Sequence, residues 1–280
     1  MARVASAALA ALAAGCASGD RAGTVSFRDS AGVTIAENAP AAAQAAALWT
    51  IEEPALLTIG VLEGDSAYQF YHVGGAALLT DGRIAILDAG SRELRFFASD
   101  GRHEIGRIGE ADHGMVGGRM FAPRTSTAVR GERFWIGTGA EGSVEVRDRA
   151  GTLRRIVRWD PGDRTVGPED RARNLEERFG DAPPEVRRSF EQVPALDRFP
   201  AYSELGTDAE GDLWVKAYHR PGDEGPDHWL VFDPDGVLIA RLETPASMRI
   251  LEAGSDRVLC MVSDEFDVER VALFQLRRGG

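Results

Sequence analysis

A strand, turn, strand unit recurs along this chain of 280 residues and limits its fold more than any other feature. The clearest copies are residues 77–101, ALLTDGRIAILDAGSRELRFFASDG, and residues 205–236, LGTDAEGDLWVKAYHRPGDEGPDHWLVFDPDG. In both, an Asp-Gly or Glu-Gly turn joins two β-rich runs, an irregular loop follows, and a third strand leads into another Asp-Gly turn. Each copy therefore predicts a four-stranded antiparallel sheet.

The spacing of these copies predicts an all-β fold, a β-propeller of four-stranded antiparallel blades. Clear copies cover residues 73–109, 125–159, 201–242 and 248–276, a spacing of about 40 residues, which is typical of a propeller blade. With further short strands before residue 73, the count is about five blades, a shortened version of the six-bladed type. A β-sandwich with similar hairpins is the alternative. The propeller domain is assigned to residues 24–280.

Two other segments have defined expectations within this domain. The hairpin at residues 24–38 is placed where it closes the ring, and residues 49–60 are assigned two short strands. Residues 168–192 break the β pattern, because Pro168 suits a first helical position and each of two short runs has one narrow apolar stripe. This helical insertion is interpreted either as a surface element packed on a blade edge or as a lid over the central channel.

Composition restricts the classes of partner. A hydrophobic content of 44% suits one large domain, and the net charge of -12 argues against nucleic acid, which requires a basic surface to neutralise phosphates. Neutral or cationic partners are expected instead. Lys216 is the only lysine, so the basic residues are almost entirely arginines, a pattern that indicates coding bias.

The first 23 residues are typical of a targeting segment followed by a tether. Arg3 precedes a short alanine-rich apolar run that is too short to span a bilayer, and small residues lead to Cys16. The stretch LAAGC resembles the lipobox of bacterial lipoproteins, with the leucine one position further from the cysteine than is usual. We therefore assign residues 1–15 to a signal peptide cleaved before Cys16, residues 16–23 to a tether, and Cys16 to lipidation. With Ala17 after the cysteine, the resemblance implies sorting to the outer membrane. The alternative is an ordinary secretory signal.

Several motifs together resemble the NHL-like six-bladed β-propeller proteins of bacteria, many of them predicted lipoproteins. They are RDSAGVTIAENAP, DGRIAILDAGSRELRFFASDG followed by GRIGE, GDLWVKAY, WLVFDPDG and DEFDVERVALFQL. The resemblance covers most of residues 24–276 and implies a propeller fold without specifying a function. ADHGMVGGRMF replaces the glycine-rich stretch that the family has after GRIGE, and the chain is short for six blades plus an insertion.

If the Asp-Gly turns occupy one end of the blades, the remaining loops emerge together at the other end, where propellers usually bind ligands. The candidate ligand-binding residues on this loop face are His72, Asp112, His113, His219, Asp223, Asp227 and His228. Histidines and carboxylates on converging loops suit a divalent cation, yet no spacing enforces one and HRPGDEGPDH is equally typical of a solvated turn. No cofactor is predicted, with a divalent cation as the alternative.

Aromatic residues offer a second kind of contact. Trp214, Tyr218 and Trp229 belong to one blade, and Tyr68, Phe70 and Tyr71 precede another, so they either line a stacking platform or pack between blades. Packing is the favoured interpretation for the tryptophans. Strand alternation places Trp214, Lys216 and Tyr218 on one face. Cys260 is predicted to be a buried core thiol.

Known catalytic signatures are absent from the sequence: it has no Gly-x-Ser-x-Gly elbow, no phosphate-binding loop and no complete zinc protease motif. We therefore expect an exported, lipid-anchored propeller that binds a protein, peptide or saccharide without catalysis. A metal-assisted hydrolase or lactonase on the loop face is the alternative. A third interpretation is a degraded, purely structural propeller.

Overall fold

The computed structural model describes residues 24–79, 81–88, 90, 91, 93–104, 120–192 and 194–279. None of the helices among these residues has the length and apolarity that crossing a membrane requires. The signal peptide, the tether and Cys16 lie outside the described residues, as do the candidate site residues Asp112 and His113.

Eighteen strands, three short α-helices and one 3-10 helix (Ser66–Tyr68) make up the described fold. The first nine strands are β1 (Val25–Ser30), β2 (Val33–Asn38), β3 (Ala47–Ile59), β4 (Val73–Leu78), β5 (Ile84–Asp88), β6 (Glu93–Phe97), β7 (His103–Glu104), β8 (Ser126–Arg130) and β9 (Arg133–Gly137). The others are β10 (Ser143–Arg147), β11 (Leu153–Arg158), β12 (Tyr202–Thr207), β13 (Leu213–Ala217), β14 (Asp227–Phe232), β15 (Leu238–Thr244), β16 (Met248–Ala253), β17 (Arg257–Ser263) and β18 (Glu269–Arg277). The α-helices are α1 (Ala42–Ala45), α2 (Pro168–Phe179) and α3 (Pro184–Glu191).

The strands form antiparallel blades in chain order, which confirms the all-β propeller architecture. Blade I is β4 to β7, blade II is β8 to β11, blade III is β12 to β15, and blade IV is β16 to β18 with β3 as its fourth strand. The inner strands are neighbours, since β12 contacts both β8 and β16, and β16 contacts β4. The described residues thus contain four blades, and the predicted count of about five is not confirmed.

The two ends of a blade differ in the kind of connection that they carry. In blade III, residue pairs next to the Glu-Gly and Asp-Gly turns, such as Thr207 with Leu213, lie at one end, whereas Asp227 pairs with Thr244 at the other. Gly211 and Gly236 adopt φ of +85° and +80°, a left-handed conformation that glycine allows without strain. The end that carries these turns is the turn face, and the opposite end is the loop face.

A strand other than the expected hairpin completes the last blade. β1 and β2 instead lie at the outer edge of blade II, where β2 runs parallel to β11. β3 pairs with β15 and then with β18, so it joins blades III and IV at their outer edges. The physical reason is burial: Trp49 and Ile59 near the ends of β3 are 5% and 2% exposed, whereas Phe27 of β1 is 53% exposed.

The core lies between adjacent blades. Trp214 and Trp229 are 1% and 2% exposed, and Trp49 packs on Trp214 with ring centroids 5.8 Å apart. The preference for packing over ligand stacking is therefore confirmed for both blade III tryptophans. Cys260 is fully buried in the same cluster, as predicted, and burial raises its pKa to about 12.

The helical insertion packs on the loop face. Leu175 of α2 contacts a small cluster formed by Met120, Phe121 and Phe199, and Tyr218 joins it from blade III. Arg173 donates a hydrogen bond of 3.3 Å to the carbonyl oxygen of Pro221. These contacts hold the insertion against the loop that follows β13.

A cluster of charges, the Arg278 clasp, ties the end of the chain to the turn face. The guanidinium of Arg278 contacts the carboxylates of Asp208, Glu210 and Asp212 at 2.7, 2.9 and 3.3 Å, and its centre lies 4.4 Å from the Trp49 ring centroid. The Asp208 side chain is fully buried and also accepts from the Trp214 indole at 3.1 Å. Burial, followed by the nearby charge of Asp208, raises the pKa of Asp212 to about 6.

Candidate ligand site on the loop face

A group of charged side chains lies at the loop-face end of blades III and IV. We call it the interblade cluster, and its members are Glu204, Lys216, His219, Asp227 and Arg249. They come from four strands and one loop, and they meet because strand pairing sets Glu204 opposite Lys216 and Lys216 opposite Trp229. The cluster therefore depends on the packing of two blades.

Each of three inner strands contains a one-residue β-bulge. Register shifts by one residue occur in β4 between Val73 and Gly75, in β12 between Tyr202 and Glu204, and in β16 between Ile250 and Glu252. A bulge re-aims the side chains beside it and is frequent next to functional sites. The shift in β12 brings Glu204 opposite Lys216, beside the interface with blade IV.

Asp227 organises one half of the cluster. Its side chain is 5% exposed, and its two carboxylate oxygens lie 2.6 Å from Lys216 Nζ and 3.0 Å from His219 Nδ1. The other ring nitrogen of His219 lies 2.6 Å from the carbonyl oxygen of Asp223. Lys216 also lies over the Trp229 ring, 5.9 Å from its centroid, so its ammonium is held between a carboxylate and an aromatic face.

Glu204 and Arg249 form the other half. Burial raises the pKa of the Glu204 carboxyl, against the opposing effect of Lys216 and Arg249, while Asp227 adds to the rise. Arg249 donates a hydrogen bond to the carbonyl oxygen of Val73 in blade I. Its Nε is buried and has no hydrogen-bond partner among the described residues. A half-buried carboxyl with a raised pKa beside two cations is typical of functional sites.

Hydrogen bonds continue the cluster toward blade I. Glu269 of β18 accepts from the backbone N–H of Val73, and its other carboxylate oxygen lies 3.6 Å from His72 Nδ1. The His72 side chain is 62% exposed, so it lies at the solvent-facing rim. Three blades thus contribute polar groups to one continuous stretch of the loop face.

Two exposed aromatic side chains belong to the same loop face. Tyr71 and Phe266 are 76% and 72% exposed. The backbone N–H of each donates a hydrogen bond to a carboxylate. Asp88 accepts from the Tyr71 N–H at 3.3 Å and pairs with buried Arg95 at 3.2 Å. Asp264 accepts from the Phe266 N–H at 2.9 Å. These rings are therefore presented on ordered backbone and are preorganised for contact.

The predicted site residues have different surroundings. Asp227 and His219 meet in the interblade cluster, and Asp223 contributes its carbonyl oxygen while its carboxylate caps the N–H of Gly225 at 2.9 Å. His228 lies apart from the cluster because neighbouring side chains of a strand point to opposite faces. It instead faces Glu243, with its Nδ1 3.5 Å from Oε1.

For the alternative of a divalent cation, the described part of the chain offers no set of ligands. No three His, Cys, Asp or Glu side chains there are grouped closely enough to hold an ion. Of the proposed aromatic platform before blade I, Tyr71 alone is well exposed, since Tyr68 packs on Phe97 at 5.6 Å and Phe70 lies beneath Arg95.

An open cleft of about 550 Å³ lies elsewhere, where β2 meets β11. Its lining includes Glu37, Asn38, Arg158 and Trp159. Asn38 is already bonded to the backbone of Arg158, Gly236 and Leu238, and Arg158 pairs with Glu37 at 3.1 Å. Because these groups are satisfied within the protein, the interblade cluster is the stronger candidate site.

Comparisons with known proteins find structural likeness alone. No family model and no curated protein sequence matches the chain. Among solved structures, it is similar to glutaminyl cyclase of Myxococcus xanthus, with 11% identity, 84% of this chain and 98% of that chain covered, and a TM-score of 0.33. It is also similar to regucalcin, a calcium-binding protein of Agrobacterium tumefaciens, with 12% identity, coverage of 84% and 97%, and a TM-score of 0.31. A member of the DUF4221 family from Bacteroides vulgatus shows 8% identity, coverage of 82% and 99%, and a TM-score of 0.36. A shared function does not follow from likeness at this level.

Proposed function

We propose that this chain is an exported β-propeller, related to the NHL-like proteins and lipid-anchored through Cys16 to the outer membrane of a bacterium. It binds a protein, peptide or saccharide on its loop face and carries out no reaction on it. The export and anchoring rest on the N-terminal pattern ending in LAAGC. The binding role rests on separate observations, the groups of the loop face.

The observation that carries the binding role is the preorganised loop face. Charged groups from three blades meet there, and Tyr71 and Phe266 offer exposed rings on ordered loops. Aromatic rings and polar groups held in fixed positions lower the entropic cost of binding a ligand. Rings of this kind suit both peptide side chains and the apolar faces of sugars.

The geometry around His219 favours binding over proton transfer. Its Nδ1 faces Asp227 and its Nε2 faces the carbonyl oxygen of Asp223, so both ring nitrogens are engaged within the protein. A general base needs a nitrogen within reach of the substrate proton. No specific observation among the described residues favours the alternative of a metal-assisted hydrolase or lactonase.

Arrays of peptides and saccharides test the proposal directly. We expect the purified protein to retain a defined ligand, and the double variant Tyr71→Ala, Phe266→Ala to bind it at least about tenfold more weakly, because two exposed ring contacts are lost. Titration calorimetry with the retained ligand measures the change. Catalysis would appear as chemical conversion of that ligand, which mass spectrometry detects.

Phe27→Ala is the matched control, because Phe27 is also an exposed aromatic residue but lies on β1 at the outer edge of blade II. It should leave affinity unchanged. Equal binding by wild type and the double variant, or a loss in Phe27→Ala alone, would place the ligand away from the loop face and contradict the proposal.

A further inference from the structure

Lys216 is a partly buried ammonium group within the interblade cluster. It is the only lysine among 32 lysine and arginine residues, and its side chain is 17% exposed beside the buried carboxylate of Asp227. An ammonium group has three donors, and Asp227 is its one hydrogen-bonding partner among the described residues. Donors therefore remain for a further acceptor.

Arg249 has spare donor capacity on the facing blade. Its guanidinium carries five N–H donors, one of which serves the carbonyl oxygen of Val73. The buried Nε has no partner in the described residues. Because the Nε atom is enclosed by the protein, a ligand acceptor would reach this guanidinium through its terminal N–H groups.

Glu204 lies on β12, between the strands that carry these two cations. Its carboxyl makes no hydrogen bond or close ion pair with any described residue, although Lys216 and Arg249 both interact with it electrostatically. Because burial favours the neutral acid at this position, the carboxyl adds an O–H donor when it is protonated.

Two carboxylates of this region, Asp227 and Glu269, already have partners. Asp227 is engaged by Lys216 and His219, and Glu269 by the N–H of Val73 and by His72. Apart from Glu204, whose carboxyl is biased toward the neutral form by burial, these donors have no free carboxylate beside them in the described cluster. A carboxylate supplies two acceptor oxygens and one negative charge, which is the chemical complement of this arrangement.

We propose that the interblade cluster binds a carboxylate group of the ligand through Lys216 and Arg249, beside Glu204. This inference rests on the proposed binding function and specifies its ligand chemistry. The preference of this site for an anionic group is opposite to that of the whole chain, whose net charge of -12 favours neutral or cationic partners. A peptide terminus and an acidic sugar are the two sources of such a group.

Protonation provides a signature for the site. The charged and titratable groups around Glu204 are Lys216 on β13, Asp227 on β14, His219 in the following loop and Arg249 on β16, with Glu269 and His72 next along the face. A ligand carboxylate favours the protonated form of Glu204, so binding takes up a proton. Affinity should therefore fall as pH rises through the raised pKa of Glu204.

Two pairs of probes test the inference on the full-length protein by titration calorimetry. The first pair is an N-acetylated dipeptide with a free carboxylate and its C-terminal amide, and the second is glucuronate and glucose. We expect the acid of at least one pair to bind at least about tenfold more tightly than its neutral partner. Which pair shows the difference identifies the source of the carboxylate.

Variants connect that preference to the cluster. Lys216→Gln should reduce the acid preference at least about tenfold, whereas Glu204→Gln should keep the preference and lose most of its pH dependence, because an amide donates at every pH. Arg257→Gln is the control, since Arg257 is half exposed at the turn-face end of β17. Thermal unfolding without ligand checks that each variant is folded.

Equal binding of acid and neutral probes in both pairs would overturn the inference, as would an unchanged pH dependence in Glu204→Gln. Neutral ligands retained on the loop face would leave the proposed function standing while this inference fails. If the arrays retain no ligand at all, the proposed function itself fails.

Discussion

Replacing Arg278 with alanine is expected to lower the free energy of unfolding by about 3 kcal/mol, the lower end of the cost of breaking a buried ion pair. The variant leaves the fully buried carboxylate of Asp208 and the largely buried Asp212 without their cation. It also removes the contact with Trp49, which belongs to the strand that joins blades III and IV. Urea unfolding at neutral pH measures the loss.

Arg277→Ala is the matched control for this variant. Arg277 is the preceding residue and also pairs with a carboxylate, but its side chain is 70% exposed. An exposed ion pair contributes about 1 kcal/mol or less. Similar losses in the two variants would show that the Arg278 clasp does not hold the blades together.

The same clasp predicts a pH dependence of stability. The folded-state pKa of Asp212 is raised from 3.8 to about 6, so ionising Asp212 costs more in the folded protein than in the unfolded chain. Its contribution to stability is therefore full below about pH 4 and is lost as pH rises through about 6. Relative to Asp212→Asn, the wild type should lose stability over this window. Parallel profiles for the two proteins would contradict the assignment.

Replacing Cys16 with alanine is expected to move the protein from the membrane fraction to the soluble fraction. The lipidation proposed for Cys16 is the attachment to the membrane, and no described helix could replace it. Fractionation of cells expressing each form, together with metabolic labelling by a radioactive fatty acid, measures both attachment and modification.

Ala17→Asp provides a second variant for the anchoring proposal. It keeps the cysteine but introduces the aspartate that, by the lipoprotein resemblance, retains such proteins at the inner membrane. We therefore expect a labelled protein in the inner-membrane fraction. Labelling that persists in Cys16→Ala, or wild-type protein that is soluble and unlabelled, would contradict the anchor.

The repeat and its turns could be read from the sequence because they depend on local chemistry. The Glu-Gly turn at Gly211 and the Asp-Gly turn at Gly236 need a left-handed glycine, and they fix which loops share a face. Alternation in β13 likewise placed Trp214 and Lys216 on one side of the strand. These features involve residues close together in the chain.

The role of β3 was harder to predict, since residues 49–60 were expected to form two short strands and Pro54 lies in the middle of this segment. A proline is tolerated in an outermost strand, where its missing N–H needs no partner. The structure has one strand whose pairing with β18 shifts around this proline, between Leu273 and Gln275. The partner strand is about 200 residues away, so local pattern gives no indication of the pairing.

Glu204 and Arg249, two members of the interblade cluster, were not predicted from the sequence, and the reason is physical. Glu204 reaches Lys216 through a one-residue bulge in β12, and Arg249 meets them across a blade interface. Neither the bulge nor the blade interface produces a characteristic residue spacing in the sequence. The one available signal was the single lysine in an arginine-rich chain, together with Asp227 in the neighbouring strand.

Amide hydrogen exchange with and without an array-identified ligand gives the most direct test of loop-face binding. We expect slower exchange in residues 66–72, 218–227 and 263–269, which carry the exposed rings and much of the interblade cluster. Residues 208–212 and 233–237 on the turn face should exchange at unchanged rates. Protection confined to the turn face or to the hairpin of β1 and β2 would contradict binding on the loop face.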